Sequence, residues 1–111
     1  MTSVDRNLRF LQTLVFRGCL DIITQLPESI STLTMLQELN LYNCRILEKL
    51  PQLPDSLTSL DLEYCVSVQN LAVPLAGLNR LTTLALGNCP AVRCLTELLS
   101  GGLLGLMELV I

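Results

Sequence analysis

The residues in this chain most able to do chemistry are its five cysteines, Cys19, Cys44, Cys65, Cys89 and Cys94. Thiolates can act as nucleophiles, bind soft metals or pair as disulfides. The first role usually needs a base beside the sulfur, and the chain has no histidine, which removes the commonest general base and the Ser-His and Cys-His pairings. The second needs ligand spacing such as CxxC, whereas Cys89 and Cys94 are separated by four residues and no CxxC pair occurs. Metal and cofactor are therefore both expected to be absent. Asp61 and Glu63, two apart, could share a face as a carboxylate pair, though acidic residues so placed are more often solvated. Gly101-Gly102-Leu103-Leu104-Gly105 lacks the lysine and spacing of a phosphate-binding loop and reads as a tight turn. Nothing assembles a catalytic set, and the expected mode of action is binding.

Charge narrows the partner. The formal net charge is −3, with one lysine, Lys49, and six scattered arginines. A nucleic-acid surface needs clustered Lys and Arg, so neither nucleic acid nor an anionic membrane is expected. The least charged stretch, 64–92, is broken by Gln69, Asn70, Pro74, Asn79, Asn88 and Pro90, far from about 18 uninterrupted apolar residues. The first ten residues contain no apolar signal-peptide core. A cytoplasmic protein is expected.

The elements that would position these side chains come from a repeat. Leucine fills 28 of the 111 positions, and a bias of that kind asks for internal periodicity. LQTLVFRGC (11–19), LQELNLYNC (36–44), LTSLDLEYC (57–65) and LTTLALGNC (81–89) all follow LxxLxLxxC, with Phe16 the one departure at a leucine position. A fifth copy, LMELVI, starts at Leu106, so starts lie 25, 21, 24 and 25 residues apart. Four of the five cysteines thus occupy one motif position.

Within LxxLxL the last two leucines, such as Leu39 and Leu41, point to one face of an extended segment and the residue between them to the other. One strand per copy, stacked beside its neighbours, makes a parallel sheet with inward leucine ladders, and no copy can bury its leucines alone. The return segments carry apolar anchors three to four residues apart, suited to short helical or 3₁₀ turns. The best candidates for such turns are 27–35 and 96–103. The 21-residue copy, with Pro51 and Pro54, is too short and too proline-rich for a helix and should be extended there.

The motif, at this period, is that of leucine-rich repeats. The implied fold is an α/β solenoid, right-handed, with a parallel sheet on the concave side and an irregular, 3₁₀ or short-helical convex side. Residues 1–111 form one domain fragment, with repeats starting at 11, 36, 57, 81 and partially at 106, and 1–10 the end of a preceding repeat or an N-terminal cap. Leucine-rich repeats hold Asn or Cys facing inward at the ninth position, which makes Cys19, Cys44, Cys65 and Cys89 a structural ladder. Disulfides between rungs are conceivable, since strands stack about 4.8 Å apart, but an intracellular setting opposes them. Cys94 falls outside the ladder, either capping an apolar turn or standing as a reactive surface thiol.

LPESISTLTMLQELNLYNCRILEKLP and LPQLPDSLTSLDLEYC resemble the repeats of plant intracellular nucleotide-binding leucine-rich-repeat disease-resistance proteins. That resemblance implies repeats that sense pathogen proteins and restrain a nucleotide-binding switch, although no such switch domain lies in these residues. Repeats three and four depart from it, with Leu71-Ala72 and Leu95-Thr96 in place of the Leu-Pro step. The alternative is the substrate-binding repeats of an F-box-type ubiquitin-ligase adaptor, whose usual ITDxGL-like helix is not seen. Bacterial effectors with LPxLP repeats are a more distant third. The absence of any Asn-x-Ser/Thr site disfavours a glycosylated extracellular receptor.

A protein ligand is expected on the concave face, at the x positions of the motif. The third position presents Thr13, Glu38, Ser59, Thr83 and Glu108; the fifth Val15, Asn40, Asp61, Ala85 and Val110. The seventh presents Arg17, Tyr42, Glu63 and Gly87, and the eighth Gly18, Asn43, Tyr64 and Asn88. Arg17, Glu38, Asn40, Tyr42, Asp61, Glu63 and Tyr64 are the candidate binding residues. Tyrosine anchors interfaces well, and the acidic neighbours favour a partner carrying Arg or Lys. With no clear polar cap at either end, the chain is expected to continue into further repeats or domains of a parent protein.

Overall fold

A computed structural model describes residues 10–18, 24–94 and 107–111. The N-terminal segment 1–9, Cys19, the candidate helical turn at 96–103 and the glycine run 101–105 lie outside the described residues.

The architecture follows from the repeat. Five three-residue strands, β1 (Thr13–Val15), β2 (Glu38–Asn40), β3 (Ser59–Asp61), β4 (Thr83–Ala85) and β5 (Glu108–Val110), form one parallel sheet in chain order. Pairing is in register, with Leu14, Leu39, Leu60, Leu84 and Leu109 opposite one another in sequence. Partners are separated by the spacings at which the motif recurs. The ladder runs past the named strands on both sides: Gln37 N–H bonds to the Gln12 carbonyl at 2.8 Å, and Asn43 N–H to the Glu63 carbonyl at 2.8 Å. This is the sheet of a leucine-rich-repeat solenoid.

Inside the sheet, motif leucines 36, 39, 41, 57, 60, 62, 81, 84 and 86 are all buried, at 0–1% exposure. Return-segment residues Leu26, Ile30, Leu33, Leu47, Leu53, Val68, Leu71, Leu75 and Leu78 close the same core from the other side. Leu11, Leu14, Phe16 and Leu109, in the outer repeats, pack against it only partly buried. Burying a leucine is worth roughly 1.5–3 kcal/mol, so the inner repeats carry most of the cohesion.

The return segments differ as their sequences require. Glu28–Thr32, inside the 27–35 stretch, is a 3₁₀ helix whose Ile30 enters the core. Leu50 to Pro54 contain no helical turn, in line with the prolines. Pro54 stands in for the leucine of the other repeats. It is buried, and its carbonyl accepts from Leu57 N–H at 3.2 Å, as those of Leu33 and Leu78 accept from Leu36 and Leu81. Next to it, buried Ser56 donates its hydroxyl to the Leu36 carbonyl at 2.6 Å, which ties the residue just ahead of the third motif copy to the start of the second. A second 3₁₀ helix, Pro90–Cys94, lay outside the stretches favoured from sequence. It opens on a proline, whose fixed φ suits a helical first position.

Leu60→Ala, in the middle of the ladder, is expected to cost about 2–5 kcal/mol, and Leu14→Ala distinctly less. Urea unfolding followed by far-UV circular dichroism, the chain having no tryptophan, measures both; equal costs would contradict a core centred on the inner repeats.

Candidate functional site

Each strand ends in a turn that fixes the outward side chains. The N–H of the motif cysteine bonds to the carbonyl three residues earlier, Cys44 to Leu41 at 3.2 Å, Cys65 to Leu62 at 3.2 Å and Cys89 to Leu86 at 3.1 Å. The residue before the cysteine has positive φ in all four full copies: Gly18 at 63°, Asn43 at 61°, Tyr64 at 63° and Asn88 at 56°. A turn whose third residue needs φ > 0 favours Gly or Asn there. Three of the four repeats obey. Tyr64 does not, and left-handed backbone costs a bulky L-residue about 1–2 kcal/mol.

Tyr64 and its neighbours form a continuous row across three repeats. The Arg17 guanidinium carbon lies 5.0 Å from the centre of the Tyr42 ring. The rings of Tyr42 and Tyr64 meet edge to face, with centroids 5.6 Å apart and planes inclined by 69°. Such contacts are worth roughly 0.5–1 kcal/mol for an exposed cation over a ring and about 0.5–1.5 kcal/mol for an aromatic pair. Tyr64 nevertheless remains 40% exposed.

The other candidates are placed with equal definition. Glu38 opens β2 and is exposed, while Asn40 and Asp61 close β2 and β3 half-buried. Asn40 Oδ1 accepts from Tyr42 N–H at 3.0 Å, and Asp61 Oδ1 from Glu63 N–H at 2.9 Å. Both therefore have a structural task that their exposed motif position had concealed. Each holds the backbone of the seventh-position residue and so aims Tyr42 or Glu63. Half-buried Glu63 extends toward repeat four. Its Oε2 lies 3.0 Å from where a β-carbon on Gly87 would be, so the glycine leaves a hollow for the carboxylate. Arg17, Tyr42, Tyr64, Asp61 and Glu63 thus cluster at the ends of the first three strands, and Glu38 sits at the opposite end of its strand.

Beneath this row, three of the four motif cysteines face the interior. Cys44, Cys65 and Cys89 are thiols rather than disulfides and are 0–2% exposed. Cys44 Sγ donates to the Phe16 carbonyl at 3.3 Å and Cys65 Sγ to the Leu41 carbonyl at 3.0 Å. Each reaches the sixth-position carbonyl of the preceding repeat. Burial, the largest influence, pushes the Cys65 thiol up from 9.0 to about 12, and burial also raises Cys89. Thiols of that kind stay protonated at neutral pH, and the nucleophile is the thiolate. Among the described residues no group of three or more His, Cys, Asp or Glu could hold a metal ion.

The repeats and their parallel sheet define the fold class, a leucine-rich-repeat solenoid, and the repeats resemble those of plant disease-resistance proteins. The leucine-rich-repeat family model matches residues 35–60. The chain is 46% identical over 46 residues to the disease resistance-like protein DSC2 of Arabidopsis thaliana, covering 41% of this chain and 4% of that protein. It is 41% identical over 72 residues to the disease resistance-like protein DSC1 of the same plant, covering 65% of this chain and 6% of that protein. The chain therefore spans only a small part of the curated relatives it matches. No solved structure matches it.

Two outcomes test the geometry. Tyr64→Asn relieves the left-handed strain and loses one ring contact of similar size, so unfolding free energy should stay within about 0.5 kcal/mol, whereas Asn88→Val should cost about 1–2 kcal/mol; the reverse order would remove the turn argument. For Cys65, the unfolded thiol ionises near 9.0 and the folded one only near 12. The folded state therefore holds a proton that the unfolded state has lost. Its contribution is complete below pH 9 and declines as pH rises toward 12. Urea midpoints of Cys65→Ala should fall less steeply over that window than those of the parent chain.

Proposed function

We propose that this chain is a protein-binding recognition module, namely ligand-sensing repeats of an intracellular plant-type immune receptor, and that its partner sits on the outward, concave face of the sheet. The observation that carries the reading is the row Arg17–Tyr42–Tyr64, in which Tyr42 meets Arg17 on one side and Tyr64 on the other across three successive repeats, on a face the core does not use. Interface energy concentrates in a few Tyr, Trp and Arg anchors held in place by their surroundings. Here the turns, the Asn40 bond to Tyr42 and the ring contacts hold them. The disease-resistance relatives supply the biological setting, and a cytoplasmic location and continuation into further repeats belong to the same reading. Among the described residues no helix is long and apolar enough to cross a membrane.

A panel of purified secreted pathogen proteins, titrated against the immobilised chain by biolayer interferometry, tests it. At least one should bind saturably, weaken tenfold or more with Tyr42→Ser/Tyr64→Asn, and be indifferent to Val73→Ser on the return side, where Val73 is 60% exposed. Binding that follows Val73 and ignores the tyrosines would place recognition elsewhere and overturn the proposal.

A further inference from the structure

We infer that the corner formed by Tyr42, Tyr64, Asp61 and Glu63 is a seat for one arginine side chain presented by the protein partner; this rests on the proposed use of the outward face and adds the chemistry it selects.

Charge is segregated in the fold. Of the described cations Arg17, Arg45, Lys49, Arg80 and Arg93, only Arg17 lies on the outward positions of the sheet motif, whereas Glu38, Asp61, Glu63 and Glu108 all do. The remaining cations stand in the return segments or just ahead of a strand. The face is thus acidic against a single guanidinium, and that guanidinium is already stacked on Tyr42. A partner presenting positive charge is the complementary one.

The aromatic pair makes the demand narrower. Arg17 over Tyr42 shows that this row accepts a guanidinium against a ring face at 5.0 Å. Tyr64, next along, is 40% exposed and keeps its place despite an unfavourable φ of 63°. Asp61 and Glu63, both outward in the motif, belong to the same repeat as Tyr64. Asp61 uses one oxygen on the Glu63 N–H, and the Glu63 carboxylate lies over the Gly87 hollow. A guanidinium stacks on a ring and bonds carboxylate in its own plane at the same time, while an ammonium is a compact point charge without a planar face. An exposed ring with two carboxylates on the same repeat therefore selects arginine over lysine.

The test uses a random peptide library displayed on phage and panned against the whole chain. Recovered peptides are synthesised and titrated by fluorescence polarisation. Asp61→Asn is a clean variant, because Asn40 makes the same turn bond in repeat two; it removes charge and keeps the acceptor. Peptides whose binding depends on Tyr42 and Tyr64 should contain an arginine. They should weaken tenfold or more when it becomes lysine, and by a similar factor with Asp61→Asn/Glu63→Gln. Peptides that depend on both tyrosines yet lack arginine, or tolerate lysine, overturn the arginine seat and leave the protein-binding face standing. Recovery of no peptide that depends on the tyrosines removes both.

Discussion

Every inner repeat of this chain is held by its neighbours through one arrangement, the in-register stacking of three-residue strands with leucines on one side. A strand of three residues cannot persist alone, and a single repeat has too little apolar surface to offset the entropy of ordering it. Stacked, Leu39, Leu60 and Leu84 become a continuous core at 0–1% exposure, and the backbone ladder extends beyond the strands into both flanks. The chemistry on the other face depends on this, since Tyr42 meets Arg17 and Tyr64 only because strands offset by 25 and 21 residues in the chain become adjacent rungs.

The end of the strand is where core and surface are coupled. At that point the chain must turn, place a small side chain inward and leave carbonyls of the preceding repeat satisfied. Cys44 and Cys65 do the last of these with weak thiol donors, and both are buried where they do it. Directly above, the left-handed residue sets the direction of its side chain. Asn43 and Asn88 fill that position at low cost. Tyr64 puts a large ring there, and the strain it carries is the kind that persists where surroundings hold it and that concentrates at functional positions.

Much of the fold was legible in the chain. LxxLxLxxC gave strand positions, register and core because those depend on periodicity alone, and the prolines at 51 and 54 excluded a helix in the short repeat. The site was legible only in part. Its columns followed from the motif, so Tyr42, Glu63 and Tyr64 could be named as outward residues. The left-handed eighth position had a signal in Gly18, Asn43 and Asn88, but one that Tyr64 masked. The bonds made by Asn40 and Asp61, the ring contact across repeats and the Glu63 carboxylate over Gly87 depend on rotamers. Rotamers are set by neighbours distant in the chain, and a motif does not encode them.

The unequal lengths of the repeats have a consequence for how such a surface can change. Strand pairing stays in register whether 21, 24 or 25 residues separate the partners, so the return segments take up every difference in length. Insertions and deletions of a few residues there need not disturb the order of side chains along the outward columns. Duplication or loss of an entire repeat would shift the pattern by one rung and leave the rest aligned. The outward face can therefore be rewritten one row at a time, by point substitution or by unequal recombination, with the hydrophobic ladder as the constant frame.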